Sequence, residues 1–287
     1  QLPRSQMTLT GIELPTESQY REYQSFTQDQ LGLFLGDDKA YLLHGRLQRR
    51  MGELGLDSYA DYFQMLAADQ EGQERQRFFN AITTTKTGFY REKEHFDLLV
   101  REIYPELREK VSRSELAKIR LWSAGCSFGQ EAYSLALDAS EFFAKELSTG
   151  MDLKILATDV NTEALTVAQR GQYAAETLNT LPERFRDRHF RPINSDQQDL
   201  CQISKSVASL IDFRRLNFLQ RYYPIETRFQ VIFCRNVFYY FDTTLRQAIL
   251  KRLASYLEEG GWLVLSLTEI GYEIDGLTKV RGEIFRR

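Results

Sequence analysis

Through the first eighty residues, apolar positions recur at helical spacing. Thr16–Leu35 carries such a stripe and meets Gly36, which predicts a helix ending there. A second helix is predicted to run to about Leu54, with Asp37 or Asp38 as its cap and Gly55 as its stop. Its apolar stripe is Leu43, Leu47, Met51 and Leu54. A third follows at Ser58–Ala68 behind Asp57, and after a break at Gly72 another helical pattern begins over Gln73–Ile82. The stretch NAITTTKTGFYREKEHF, Asn80–Phe96, differs in kind. Threonines crowd before Phe89-Tyr90-Arg91-Glu92, which favours a loop with free hydroxyls over a helix interior. Phe96–Leu107 returns to an amphipathic helix, and Val111–Lys118 is a polar connector.

The period then changes. Ile119–Ala124 is an apolar run broken at Gly125, small residues lead to Gly129, and a helical pattern begins at Gln130 with Ala132, Leu135 and Ala136 on one side. Strand, glycine turn and helix open a doubly wound α/β sheet with helices on both faces. The rhythm continues with a strand at Lys154–Thr158 ending in Asp159 and a helix at Asn161–Arg170. Between Gly171 and Arg215 it lapses into a short charged helix, Pro182–Phe190, polar turn residues Asn194-Ser195-Asp196, and β-leaning runs at Leu200–Ile203 and Ser209–Phe213. A small inserted antiparallel hairpin over about 190–215 is expected. Phe229–Cys234 is a buried strand, Asp242 caps a helix at Thr243–Leu257, and Gly260-Gly261 turns into a strand at Trp262–Leu267. Gly271–Arg287 alternates as a closing hairpin. The expected organisation is an all-α domain over 1–82 and an α/β domain over 83–287 that carries the insert.

Composition narrows the classes. A net charge of −3 argues against a nucleic-acid partner, which selects for a basic excess. No apolar run approaches the ~18 residues of a membrane span, and the polar amino end lacks the apolar core of a signal peptide. A soluble cytoplasmic monomer is expected. Cys126, Cys201 and Cys234 lie far apart and histidines number three, so neither a disulfide framework nor a metal site is expected.

Candidate chemistry sits at strand ends. The glycine turn reads Gly-x-x-x-Gly rather than the Gly-x-Gly-x-x-Gly of a dinucleotide site. Glu131, in the first helical turn, would repel a phosphate but suits an ammonium, and S-adenosylmethionine carries one beside its sulfonium. Asp159, ending the second strand, stands where doubly wound folds hold a ribose, although a helix-capping role competes. Arg235 and Asn236 end the strand at Phe229–Cys234 and face the expected crevice. In the helical region Lys39, Arg46 and Arg50 fall on one line, read either as a solvated basic face or as a docking surface for an acidic helix.

Several of these motifs, in this order, resemble the CheR-type chemotaxis receptor methyltransferases. They are K-x-Y-L-L-x-x-R-L-x-x-R at Lys39–Arg50, LGLDSYADY at Leu54–Tyr62, TTTKTGFYRE at Thr83–Glu92 and WSAGCSFGQEAYSLA at Trp122–Ala136. LATDVNTEAL at Leu156–Leu165 and VIFCRNVFYYFD at Val231–Asp242 complete the series. The resemblance spans most of the chain. It implies a Rossmann-like S-adenosylmethionine-dependent methyltransferase sheet with an N-terminal all-α domain, and transfer of methyl to glutamates of methyl-accepting chemotaxis proteins with S-adenosylhomocysteine as product.

By position, the resemblance implies that Thr85, Thr87 and Arg91 cover the cofactor, Glu131 receives its ammonium and Asp159 its ribose. Asn217 with the Phe218 backbone would address the adenine, Arg235 and Asn236 would complete the pocket, and Arg91 and Tyr240 would lie near the transferable methyl. Lys39, Arg46 and Arg50 would dock receptor helices, and the insert would offer a place for a tethering peptide from the receptor's carboxyl terminus. Three positions depart from the family pattern. Thr85 stands where asparagine is usual, Phe128-Gly129-Gln130-Glu131 replaces Thr-Gly-Glu-Glu, and Leu267-Thr268-Glu269 replaces His-Ser-Glu. Two other readings share these residues: a binding-only descendant without turnover, and a small-molecule methyltransferase on the same sheet.

Overall fold

The computed structural model describes residues 11–37, 39–193 and 199–287. The candidate cap Asp38 and the turn at Asn194–Asp196 lie outside them, as do the first ten residues of the polar amino end. The described residues divide into two compact units, those up to 84 with 240–245, and those of 85–239 with 246–287.

The first unit contains helices Glu17–Leu31, Ala40–Glu53, Tyr59–Ala68 and Gln73–Ile82. Thr16 opens the first with a capping box, its hydroxyl accepting from Gln19 N while the Gln19 side chain accepts from Thr16 N. That helix ends at Gly32 instead of Gly36, because Gly32 takes a left-handed φ of 70° and turns its N–H back to Gln28 O. Two expected caps move. Asp37 accepts from Gln24 Nε2 rather than capping the second helix, whose N-cap residue is Lys39. Ser58, not Asp57, caps the third. Tyr23, Leu47, Met51, Tyr62, Leu66 and Phe78 are fully buried and form the core of this unit.

The second unit opens with a helical stretch from Lys93 to Ser112, longer than the expected Phe96–Leu107. A π turn interrupts it at Leu99–Ile103. Pro105, at the start of the following α segment, has no N–H to give and its ring crowds the preceding turn, which accounts for the change of pitch.

The strands follow in chain order as β1 Lys118–Ala124, β2 Asp152–Asp159, β3 Gln172–Ala174, β4 Phe190–Ile193, β5 Leu200–Ile203, β6 Ile211–Arg215, β7 Phe229–Phe233, β8 Leu257–Val264, β9 Thr278–Arg281 and β10 Ile284–Arg286. The main sheet runs β6-β2-β1-β7-β8-β10-β9. Its first five strands are parallel, and the closing hairpin adds β10 and β9 antiparallel. Strand order reverses at β1, which lies between β2 and β7. In open α/β sheets such a switch point opens a crevice at the carboxyl ends of the strands.

Two expectations change here. The run Ser209–Phe213 does not belong to the inserted hairpin. It becomes β6, parallel to β2, with the Phe213 ring packed on Tyr133. The small sheet is instead three-stranded, β3-β5-β4, and draws β3 from just behind Gly171. A three-residue strand has too few positions to display a period. The last parallel strand also begins earlier than expected: Gly260 and Gly261 lie inside β8, at a shift of register opposite Phe229 and Val231.

Candidate active site

The carboxyl ends of β1, β2 and β7 bring together the residues that the sequence separates. After β1 the chain turns through Gly125, φ 85°, and Gly129, φ 89°. A Cβ at Gly125 would meet Val237 Cγ2 at 2.7 Å, and one at Gly129 would meet Ala168 Cβ at 2.8 Å, so this turn excludes side chains as well as requiring left-handed backbone. Gly125 N and Cys126 N both donate to Thr158 O at the end of β2.

Asp159 ties the two strand ends together. One carboxylate oxygen accepts from Ser127 N at 2.8 Å and the other from Asn161 N at 2.9 Å. The helix Thr162–Arg170 is capped by Asn161, whose side chain accepts from Ala164 N, so the competing capping role does not fall to Asp159. Burial pushes the Asp159 carboxyl above its ordinary range, against the opposing pull of the Asn161 and Ser127 amides.

Glu131 occupies the first turn of the helix Gln130–Phe142. It accepts from Ser123 Oγ at 2.8 Å and from Arg235 Nε at 2.8 Å. Arg235 was expected to face a ligand. Its side chain is instead 1% exposed, with its guanidinium 5.3 Å from the Phe96 ring and 5.2 Å from the Phe233 ring. Its Nη1 donates to Arg91 O at 2.8 Å and lies 3.0 Å from His95 Nδ1. A guanidinium can only donate, so His95 Nδ1 accepts and the imidazole is neutral. Burial and the adjacent Arg235 charge lower the His95 pKa to about 4, consistent with that state. Arg235 is therefore an internal fastening of Glu131 to the loop at Arg91.

That loop is held from below. Phe89 packs edge-on to Tyr173 and Phe190, Tyr90 N donates to Ser134 Oγ, and Tyr90 OH donates to Asp138 at 2.9 Å. The aromatic pair thus anchors the loop, and the Arg91 side chain, between buried Tyr90 and half-buried Glu92, remains exposed, Nη1 donating to Lys86 O at 3.2 Å. Thr85 and Thr87 are half-buried, and Thr85 O accepts from Ser127 Oγ.

Asn236 Nδ2 donates to Ser266 Oγ at 2.7 Å and to Glu92 at 3.1 Å. Glu269 accepts from the amides of Asn236, Val237, Phe238 and Ser266, and so fixes the turn after β7 to the end of β8. Asn217 accepts from Leu219 N, and Phe218 O accepts from Arg252 and Tyr223 OH. Tyr240 groups with the helical unit, where its carbonyl accepts from Phe34 N at 2.7 Å.

Tyr90, Glu92, Ser127 and Asn236 are non-glycine residues with φ between 51° and 60°, all within this site. Left-handed backbone in such residues costs on the order of 1–3 kcal/mol each and persists where surrounding bonds hold it, characteristically at functional sites.

Two family models match the chain, one across this site and one across the helical region before it. One described as "CheR methyltransferase, SAM binding domain" covers residues 85–276, and one described as "CheR methyltransferase, all-alpha domain" covers residues 18–83. The chain belongs to the CheR methyltransferase family. It is 33% identical over 254 residues to the chemotaxis protein methyltransferase of Salmonella typhimurium, 88% of this chain and 84% of that one. It is 32% identical over 269 residues to that of Escherichia coli, 93% and 90% of the two chains. With the Borreliella burgdorferi protein it shares 32% over 238 residues, 83% of each.

The donor set suits the cofactor of this CheR methyltransferase, S-adenosylmethionine. A carboxylate offers about four acceptor positions, so the bonds already made by Glu131 and Asp159 leave room for an ammonium and for hydroxyls. Among the described residues no cluster of His, Cys, Asp and Glu could hold a metal ion, and no helix is long and apolar enough to cross a membrane. Sequence reasoning passed over Glu92, His95 and Glu269 as site residues. Glu92 ends the stretch TTTKTGFYRE, but nothing in its spacing announces a left-handed backbone or partners 174 and 175 positions away.

The basic stripe of the helical unit divides on inspection. Arg50 forms a two-point pair with Glu74, at 2.9 and 2.6 Å, beneath Tyr62 OH. Arg46 donates to Ile82 O and to Thr84 Oγ1, while Lys39 is exposed. Arg50 is thus withdrawn from the expected docking face by an internal partner.

Proposed function

We propose that this protein esterifies glutamate side chains on the cytoplasmic helices of methyl-accepting chemotaxis proteins, in the cytoplasm and as a monomer. The observation that carries the reading is the pair of carboxylates, Glu131 in the first helical turn after β1 and Asp159 at the end of the adjacent β2, together with an exposed arginine on a tightly anchored loop. Glu131 would take the cofactor's ammonium, Asp159 its ribose, and Asn217 with Phe218 its adenine, under Thr85 and Thr87. Asn236 would border the pocket, and Arg235 would act by holding Glu131.

S-adenosylmethionine supplies an activated methyl on a sulfonium. A glutamate carboxylate is already ionised at neutral pH, so its attack needs no strong general base. The protein's part is alignment and exclusion of water. Arg91 would orient the incoming carboxylate and Tyr240 would steer it by a hydrogen bond. Too firm a grip by Arg91 would favour the reactant over the transition state, so positioning is expected rather than tight pairing.

Lys39 and Arg46 would meet acidic receptor helices. An edge of the β3-β5-β4 sheet would accept an extended tethering peptide by strand addition. The direct test is incubation with tritiated S-adenosylmethionine and receptor cytoplasmic domains, followed by mild base. Volatile tritiated methanol is expected, because a glutamyl methyl ester hydrolyses under those conditions. Base-stable label, or label only on small molecules, would overturn the reading. Reversing the charges of Lys39 and Arg46 should lower receptor methylation most at low ionic strength, where exposed charges are least screened.

A further inference from the structure

Glu92 has the backbone of a residue under constraint and the partners to explain it. Its φ is 54°, and with Tyr90 at 51° it brackets Arg91 between two left-handed positions. One carboxylate oxygen accepts from Ser266 Oγ at 2.8 Å and Asn236 Nδ2 at 3.1 Å, and the other from Leu267 N at 3.0 Å. The Arg235 guanidinium lies 3.6 Å away while also holding Arg91 O. Every one of these bonds joins the short loop to the ends of β7 and β8. Tyr90 fastens the other side, through Ser134 and Asp138 of the helix Gln130–Phe142. Arg91 thus projects from a peptide segment fixed at both neighbours, while its own side chain has one bond, to Lys86 O, among those seen in the structure.

We infer that Glu92 is a positioning residue for methyl transfer: it sets the direction of Arg91 by clamping the loop to the carboxyl ends of β7 and β8. The inference rests on the reading that Arg91 orients the incoming carboxylate. A merely structural Glu92 would stabilise the fold and leave turnover per folded molecule unchanged. A positioning Glu92 acts on the transfer step and only while Arg91 is present.

The experiment is a double-mutant cycle with Glu92→Gln and Arg91→Ala, measuring kcat and KM for a receptor cytoplasmic domain, S-adenosylhomocysteine affinity and Tm. Glu92→Gln removes the charge and converts one acceptor to a donor. It should lower kcat by roughly 10- to 100-fold, the scale expected when a reacting group is misplaced by about an ångström. Cofactor affinity and receptor KM should stay within about threefold, since Glu131, Asp159, Asn217 and Phe218 make no bond to Glu92 and Asn236 keeps its bond to Ser266 Oγ. In the Arg91→Ala background the same change should cost nothing more, because residues acting as one unit are not additive. Ser266→Ala supplies a milder variant should Glu92→Gln fail to fold. Loss of one hydrogen bond to a charged group should lower kcat by about 10-fold, again only when Arg91 is present. Unchanged kcat, or an equal loss with and without Arg91, would overturn the inference while leaving the Arg91 reading intact. Full turnover in Arg91→Ala would overturn both.

Discussion

Each unit of this protein contains an arginine fastened to a glutamate, and the two pairs differ in what surrounds them. Arg50 and Glu74 join two regular helices, Ala40–Glu53 and Gln73–Ile82, with side chains 20% and 11% exposed. Tyr62 OH completes the arrangement. Arg235 and Glu131 join a strand end to a helix start, with Arg235 1% exposed between two phenylalanine rings. Around them the backbone turns left-handed at Tyr90, Glu92 and Asn236. An ion pair within relaxed helices fixes their packing. One that is sequestered among strained turns holds geometry that the backbone would not adopt unaided.

The comparison breaks most sharply at Arg235. Arg235→Met leaves the buried Glu131 and the half-buried Glu92 with their shared cation gone. Removing one partner of a buried pair costs about 3–5 kcal/mol, to be read in denaturant unfolding, and cofactor affinity should fall with it. Wild-type stability together with wild-type S-adenosylhomocysteine binding would show that Glu131 needs no such support.

Asp159→Ala should come next. Charge-assisted hydrogen bonds are worth about 1.5–3 kcal/mol, and calorimetry should show cofactor binding weakened by that amount. Tm should drop as well, since Ser127 N and Asn161 N lose their acceptor. A drop in Tm with unchanged affinity would make Asp159 a fastening of the two turns and no more.

Arg50→Met sharpens the contrast from the other side. It should cost about 1–3 kcal/mol by taking from the buried Glu74 its two-point partner and leaving it the bond from Tyr62 OH, while receptor methylation per folded molecule changes by less than about twofold, as expected of a site away from the chemistry. A large loss of methylation would return Arg50 to the docking face.

The smallest effect concerns Asp138, beneath the Arg91 loop. Burial raises its pKa from 3.8 to about 7, although the hydrogen bond from Tyr90 opposes that shift. The folded protein therefore holds this proton more firmly than the unfolded chain. Its stabilising contribution is complete below pH 3.8 and is lost as pH rises towards about 7. Asp138→Asn, which keeps an acceptor for Tyr90 OH, should flatten the fall of Tm between pH 5 and 8 by ~2–4 °C, the shift that about 1 kcal/mol produces in a protein of this size class. An identical slope in both proteins would mean that Asp138 does not titrate in this range.

Much of this molecule is legible in one dimension. Periodicity alone separates the helical region from the α/β region, because 3.6-residue and buried-strand patterns follow from local geometry. Residue types at the ends of β1 and β2 point to Glu131 and Asp159 because the turn chemistry is contained within a few positions. Boundaries fail where one local signal displaces another. Gly32 stops a helix before Gly36 can, and Ser58 caps where Asp57 was expected.

The partners of the charged groups were beyond that reach. Arg235 reads as a pocket residue because it ends a strand at the right edge of the sheet. Its burial against Phe96 and its bond to Arg91 O depend on residues about 140 positions earlier. The same holds for β6, whose place in the main sheet is settled by pairing with β2, and for Arg50, whose charge is met by Glu74 of another helix. Local sequence determines which backbone a segment adopts and which chemistry it can offer. Whether a cation faces a ligand or a buried carboxylate is decided only when distant segments meet, since desolvation and pairing depend on every neighbour in three dimensions.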